Sequence, residues 1–408
     1  MREWISFFLV GVVALGVTVV WIQRLFPANL NGLLTIGLVL RAVGSTVRLK
    51  VLDLFYSGFG DSTMYFAFGS DYARSIADFD FRFVFGPNGD HWWGTQAIHN
   101  AAGFVIFFTG ESLPASFLVF SLFSFTGLLL CVRAYGASFG EEREWEYARW
   151  LWLWPTLWFW PSSIGKESLM LLAAGLTVYG YVGKAGSIRW IPMVLGITIA
   201  ATIRPHVGAV LAASVVTAEY TGPGTLFTPK RVGALLVALA ITGLALRAGL
   251  AQLGLEDADL EGVQEHFEMR SVGTMHGGSQ IELATGWKAV PVGLITILMR
   301  PFPWEARGIQ LLSALEIWTF WGAVVWQRKS ALAFLSAWRT HRILRFALPF
   351  TGAMALVYGM AFANLGIIAR QRAVILPFML LLVSVRHLAP ARGGVRLVPA
   401  SDPGQILP

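Results

Sequence analysis

The sequence predicts an all-α, polytopic integral membrane protein with about eleven transmembrane helices, and three observations predict it. The 408 residues are 55% apolar and only 13% charged, with a mean hydropathy of +0.61. A soluble domain carries about twice that share of charge. Apolar runs recur from one end of the chain to the other. Crossing a bilayer takes about 20 such residues in a helix, because hydrocarbon offers a bare backbone no hydrogen-bond partner. There are 17 Trp, a side chain that settles at the bilayer interface. The run WEYARWLWLWPTLWFW at 145–160 gathers them and reads as interfacial anchoring before sugar stacking.

Taken in order, spans are predicted at 4–22, 29–47, 114–133, 150–162, 166–183, 189–203, 207–220, 232–250, 308–326, 344–363 and 373–388. The first resembles the apolar part of a signal peptide. It lacks a clear small-x-small cleavage site and a basic flank beyond Arg2, so it reads as an uncleaved span. Residues 1–388 then form a single membrane domain, and 389–408, rich in Pro, Gly and Arg, a disordered cytoplasmic tail. Two larger outer-face loops, 56–113 and 251–307, are expected to contain amphipathic or re-entrant segments. Stretches 97–110 and 290–299 are apolar but short for a crossing. The second loop opens on an acidic piece with Glu256, Asp257, Asp259, Glu261, Glu265 and Glu268.

Short basic loops mark the cytoplasmic side. Arg133, Arg143 and Arg149, then Lys184 and Arg189, Lys230 and Arg231, the cluster Arg328, Lys329, Arg339, Arg342 and Arg345, and finally Arg386, Arg392 and Arg396 fall on alternate loops. This assignment puts the N-terminus outside and the C-terminus inside. Helix 29–47, with Arg41 inside it and Arg48 and Lys50 beyond, fits least well. If that segment did not span, the N-terminus would be inside. The net charge of +7 is spread over these loops without a basic stripe, which argues against nucleic acid. Cys131, alone and mid-span, provides neither a disulfide framework nor a metal site.

Topology leaves some outer-face cations unexplained. Lys166, Arg204, Arg370 and Arg372 sit at span ends on the side where the charge rule disfavours them, which marks them as site candidates beside the simpler reading as snorkelling anchors. Five short motifs surround them. In GDSTMY at 60–65, Asp61 could serve as a general base, with Tyr65 beside it, or could cap the following helix. In WPSSIGKES at 160–168, Lys166 would stand at a helix N-terminus, where exposed amides and the helix dipole attract anions, with Glu167 as a second carboxylate. The GKES string lacks the upstream glycine of a nucleotide-binding loop. In IRPH at 203–206, Arg204 offers a bidentate fork for phosphate and His206 a proton shuttle. In MRPFPWE at 299–305, Arg300 and Glu305 flank an aromatic pair suited to a sugar ring, or simply pair with each other. In NLGIIARQR at 364–372, Arg370 and Arg372 suggest a diphosphate clamp in the last outer turn. No metal-ligand spacing is visible. No cofactor is expected, because Lys and Arg can supply the charge a divalent metal would bring.

These motifs, in this order over about residues 50–385, resemble bacterial polysaccharide-cluster membrane proteins of the EpsG and Wzy polymerase type, related in design to GT-C glycosyltransferases. The resemblance implies transfer of a glycan from undecaprenyl diphosphate to an acceptor sugar on the outer face of the bacterial inner membrane. It makes the polyprenyl-linked saccharide, membrane lipid and polysaccharide export machinery the partners. Carried onto this chain, Arg204, Arg370 and Arg372 would hold phosphate, and Asp61 or His206 would be the base. The second outer loop is modest, without the added soluble domain of large GT-C enzymes, which favours a polymerase. A GT-C enzyme using a polyprenyl-monophosphate sugar, a lipid-linked saccharide flippase and a non-catalytic assembly subunit are the other readings. A flippase should show paired broken helices in repeated halves, and no such repeat is evident.

Overall fold

The computed structural model describes residues 2–82, 92–184, 187–223, 288–308, 310–362 and 364–385, with a few isolated positions between 228 and 281. Nearly all of the predicted span 232–250, and the whole of the acidic piece 256–268 and the tail 389–408, lie outside the described residues. Every named element is helical, and the described residues contain no strand, only an isolated bridge between Lys184 and Ser187. The elements are α1 (Arg2–Val17), α2 (Asn31–Tyr56), α3 (Asp61–Ala77), α4 (Thr95–Thr109), α5 (Leu113–Phe139), α6 (Glu144–Leu153), α7 (Pro155–Phe159), α8 (Lys166–Val182), α9 (Trp190–Ile203), α10 (Pro205–Tyr220), α11 (Ala289–Met299), α12 (Gln310–Trp326), α13 (Arg328–Ala337), α14 (Arg342–Ala361), α15 (Leu365–Met379) and α16 (Leu381–Ser384).

This is a helical membrane protein. Among the described residues, four helical stretches are long and apolar enough to cross a bilayer: Glu3–Leu25, Ala28–Tyr56, Leu113–Phe139 and Leu365–Ser384. The first carries Phe8, Leu9, Val12 and Val13 exposed along its length, an apolar surface suited to lipid. The interior is apolar, and its helices approach closely through small residues. Gly127 of α5 and Gly175 of α8 meet backbone to backbone, and a β-carbon on either would overlap the other chain segment. Such contacts drive association where lipid removes the hydrophobic incentive.

The helix ends sort into two groups. At one end, Ser112 donates to the Glu3 carbonyl at 2.6 Å, and the α2–α3, α7–α8, α9–α10 and α14–α15 turns converge. At the other end, Arg133 lies over the Phe26 ring, His341 binds the Ser138 carbonyl, Arg345 and Arg339 bind the carbonyls of Ala218 and Thr221, and Tyr135 binds that of Ser384. The described basic residues assigned to alternate loops gather at this second end. Helix α2 runs the full distance between the ends, 26 residues or roughly 39 Å, which is long enough for a crossing.

Two expectations need correction. Stretch 150–162 is not one helix. The chain breaks at Trp154, which is extended (φ −77°, ψ 118°) because the following Pro155 disfavours helical backbone before it. The α7 start is completed from far away: Glu316 of α12 accepts the Thr156 amide at 2.8 Å and also its hydroxyl. Loop 56–113, expected to contain amphipathic or re-entrant segments, holds two long helices among its described residues. Within it α3 and α4 lie side by side in the same sense, with Tyr65 against His99, Gly69 against Ala102 and Arg74 bonded to Glu111. The last outer turn is shorter than expected. Asn364 caps α15 by accepting the Gly366 and Ile367 amides, so Arg370 and Arg372 stand inside a helix.

Candidate functional site

Four separate turns or helix starts bring charge together at the first end. Asp61 opens α3, after Gly60, which takes the cap position and donates its amide to Thr63 at 3.1 Å. Asp61 is therefore relieved of capping and stays 58% exposed. Lys166 and Glu167 open α8, with Gly165 before them. Arg204 sits in the extended residue between α9 and α10, a break enforced by Pro205 at the first position of α10. Arg370 faces the same point from α15.

Glu167 is the hub, with its side chain 1% exposed. One of its oxygens accepts Arg204 Nη2 at 3.2 Å and Gln371 Nε2 at 3.1 Å, and the other accepts Arg370 Nη2 at 2.7 Å. Arg204 also donates to the Gln371 amide oxygen and to the Tyr358 hydroxyl at 3.3 Å. Arg370 reaches on to Asp61 Oδ2 at 3.2 Å, which ties the exposed carboxylate to the buried one. A carboxylate held by two guanidiniums and an amide stays charged and fixed, a part of the scaffold rather than a proton acceptor. Asp61 keeps its Oδ1 without a hydrogen bond among the described residues. It is the carboxylate of this group that is open to solvent.

Around this hub, Lys166 donates to Thr95 of α4 at 2.9 Å. Tyr65 is buried beside His99, and burial, with the nearby Asp61 charge, pushes its phenol up to about 12. It therefore acts only as a hydroxyl donor or acceptor. His206 is exposed at the rim, its ring 6.4 Å from that of Tyr358.

The structure therefore brings together Asp61, Tyr65, Lys166, Glu167, Arg204 and Arg370, with His206 at the edge. It does not bring in Arg372. Residues two apart on a helix point about 200° apart, so the expected clamp with Arg370 does not form. Arg372 is buried on the other side of α15, donating to the Ile297 carbonyl at 2.8 Å and to that of Arg300. Arg300 and Glu305 pair with each other, at 2.7 and 3.0 Å, beside the stacked rings of Phe302 and Trp304, and neither joins the hub. Partial burial opposes ionisation of Glu305, yet the Arg300 guanidinium and the Phe302 amide hold its carboxyl below the usual range. Among the described residues no group of three or more His, Cys, Asp or Glu side chains could hold a metal ion.

Sequence reasoning missed three residues: Gln371 and Tyr358, which complete the hub, and Arg48 of α2. Arg48 lies within electrostatic reach of Arg370, Glu167 and Asp61. Comparison with protein-family models, with curated proteins and with solved structures gives no match.

Proposed function

We propose that this protein transfers a glycan from a polyprenyl-diphosphate-linked donor to a sugar hydroxyl on the outer face of a bacterial inner membrane, as a Wzy-like polymerase of an exopolysaccharide or O-antigen. In this reading about eleven segments cross the bilayer and the end bearing the charge cluster faces outward, opposite the basic loops. One observation carries the proposal. An exposed carboxylate, Asp61, is joined through Arg370 to a buried Arg–Glu–Arg group at one end of the long apolar helices.

The chemistry then assigns itself to named atoms. Asp61 Oδ1 receives the proton of the acceptor hydroxyl. The hydroxyl oxygen bonds to the anomeric carbon, the bond from that carbon to the diphosphate oxygen breaks, and its electron pair leaves with the polyprenyl diphosphate. Cations close to the leaving group stabilise the charge that develops on it. Glu167 holds Arg204 and Arg370 in register without touching substrate, and Tyr65 lends a neutral hydroxyl.

The test is Asp61→Asn in producing cells, with membrane levels of the protein matched to the parent. The expected outcome is loss of polymer with lipid-linked single repeats accumulating. A truncated repeat would instead indicate a sugar-adding GT-C enzyme. Complete repeats trapped on the inner face would indicate a flippase. Polymer of unchanged amount and length would sink the catalytic reading altogether.

A further inference from the structure

The cations first expected to hold phosphate are mostly committed elsewhere. Arg204 and Arg370 share the two oxygens of Glu167, and Arg370 also holds Asp61. Arg300 is paired with Glu305, and Arg372 with two backbone carbonyls. Lys166 differs, because its described partner is the neutral Thr95 hydroxyl.

Arg48 differs more. Its guanidinium carbon lies 5.2 Å from the centre of the Phe159 ring and 5.0 Å from that of Trp160. Its Nε is sealed from solvent and has no partner, and Arg48 makes no hydrogen bond or ion pair among the described residues. A guanidinium supported by aromatic rings keeps its in-plane N–H groups available at the edge, the geometry that suits phosphate oxygens. A cation so placed in a membrane helix is costly unless something anionic meets it.

Its position is fixed by packing. At Gly44, one turn before Arg48, α2 presses against the Trp158 carbonyl and Ser162, where a β-carbon would overlap both. The 160–165 turn then runs from the ring that contacts Arg48 to the start of α8, where Lys166 stands at the N-terminus of a 17-residue helix. Arg48 and Lys166 flank this turn, and each shares Glu167, Asp61 and Arg370 as charged neighbours.

We propose that Arg48 and Lys166, on either side of the 160–165 turn, form the receptor for the diphosphate of the donor, with Arg204 and Arg370 serving to position the base and the hub. The identity of the anion rests on the glycan-transfer reading. The receptor itself rests on the unpartnered Arg48 edge and the α8 start.

The experiment is isothermal titration of the purified full-length protein in zwitterionic nanodiscs, with farnesyl diphosphate in one arm and inorganic pyrophosphate in the other. Arg48→Gln and Lys166→Gln are each expected to weaken binding about tenfold to a hundredfold, the worth of one charge-assisted contact. Arg48→Lys should recover part of the loss. Arg189→Gln at the opposite end should bind as the parent. Tighter binding of farnesyl diphosphate identifies a lipid-borne anion, and equal binding a free one; either supports the receptor provided the two variants lose it. If neither probe binds, or if Arg48→Gln binds farnesyl diphosphate with parental affinity, the receptor is overturned. Should Arg48→Gln fail to fold, judged by gel filtration and melting, Arg48→Lys and Lys166→Gln decide on the same criterion. Transfer is judged separately: binding lost in Arg48→Gln while Asp61→Asn still makes polymer would leave the receptor standing and defeat the transferase.

Discussion

Glu167→Ala removes the hub while leaving both arginines in place. Arg204 and Arg370 then face each other with side chains only 14% and 24% exposed. The remaining carboxylate, Asp61, is 58% exposed and sits 3.2 Å from Arg370 alone, so water screens most of what it could offer. Removing one member of a buried ionic group costs about 3–5 kcal/mol, because the others stay buried without their counter-charge. The residual exposure of Arg370 argues for the lower figure, about 3 kcal/mol. The assay is reversible unfolding in mixed micelles followed by circular dichroism, for Glu167→Ala, Arg370→Ala and the double variant. The pair should be coupled by about 1–3 kcal/mol, since losing Arg370 as well relieves part of the repulsion. If Glu167→Ala unfolds within about 0.5 kcal/mol of the parent, as an ordinary surface change would, the hub is not a buried charge group and the reasoning fails.

Other consequences are equally direct. Gly44→Ala should destabilise by about 1–3 kcal/mol, because its β-carbon overlaps the Trp158 carbonyl, whereas Gly32→Ala, with nothing within 4 Å, should melt as the parent. Arg372→Gln should leave the Ile297 and Arg300 carbonyls short of a donor, at about 1–3 kcal/mol per buried group, and should expose loop 300–308 to limited proteolysis before global unfolding. His341 gives a pH signature. Burial lowers its pKa below 6.5 despite the bond to the Ser138 carbonyl, so the folded state favours the neutral ring. The unfolded chain then binds more protons, and this share of stability is present above pH 6.5 and lost as pH falls below it. Melting temperature should fall on mild acidification, and His341→Gln should flatten that dependence.

Much of this was legible before any coordinates. The helical membrane character, the division of the described basic residues to one end and the gathering of Asp61, Lys166, Arg204 and Arg370 at the other follow from hydropathy and from charge placed against topology. What stayed hidden depends on rotation and depth. The dipeptide spacing of Arg370 and Arg372 looked like a clamp because the segment read as a turn; on a helix the same spacing sends them to opposite faces. Glu167 looked like a candidate acid or base because its type is visible and its three partners are not. Arg48 looked like a difficulty for topology. That Arg48 stands beside the charge cluster becomes apparent only when the rings at 159 and 160, more than a hundred residues on, are seen against it. The signal available was the poor fit of α2 to the charge rule, which marked a cation in want of an explanation.

The bond between Glu316 and the first amide of α7 has a bearing on how the chain is made. Synthesis delivers the broken segment at 154–155 into the bilayer about 160 residues before the carboxylate that completes it emerges from the ribosome. In that interval the amide must remain with water or with the insertion machinery. Final seating of the first half therefore waits for α12, and a fragment halted before residue 316 should remain open to quality-control proteases that spare the full-length protein.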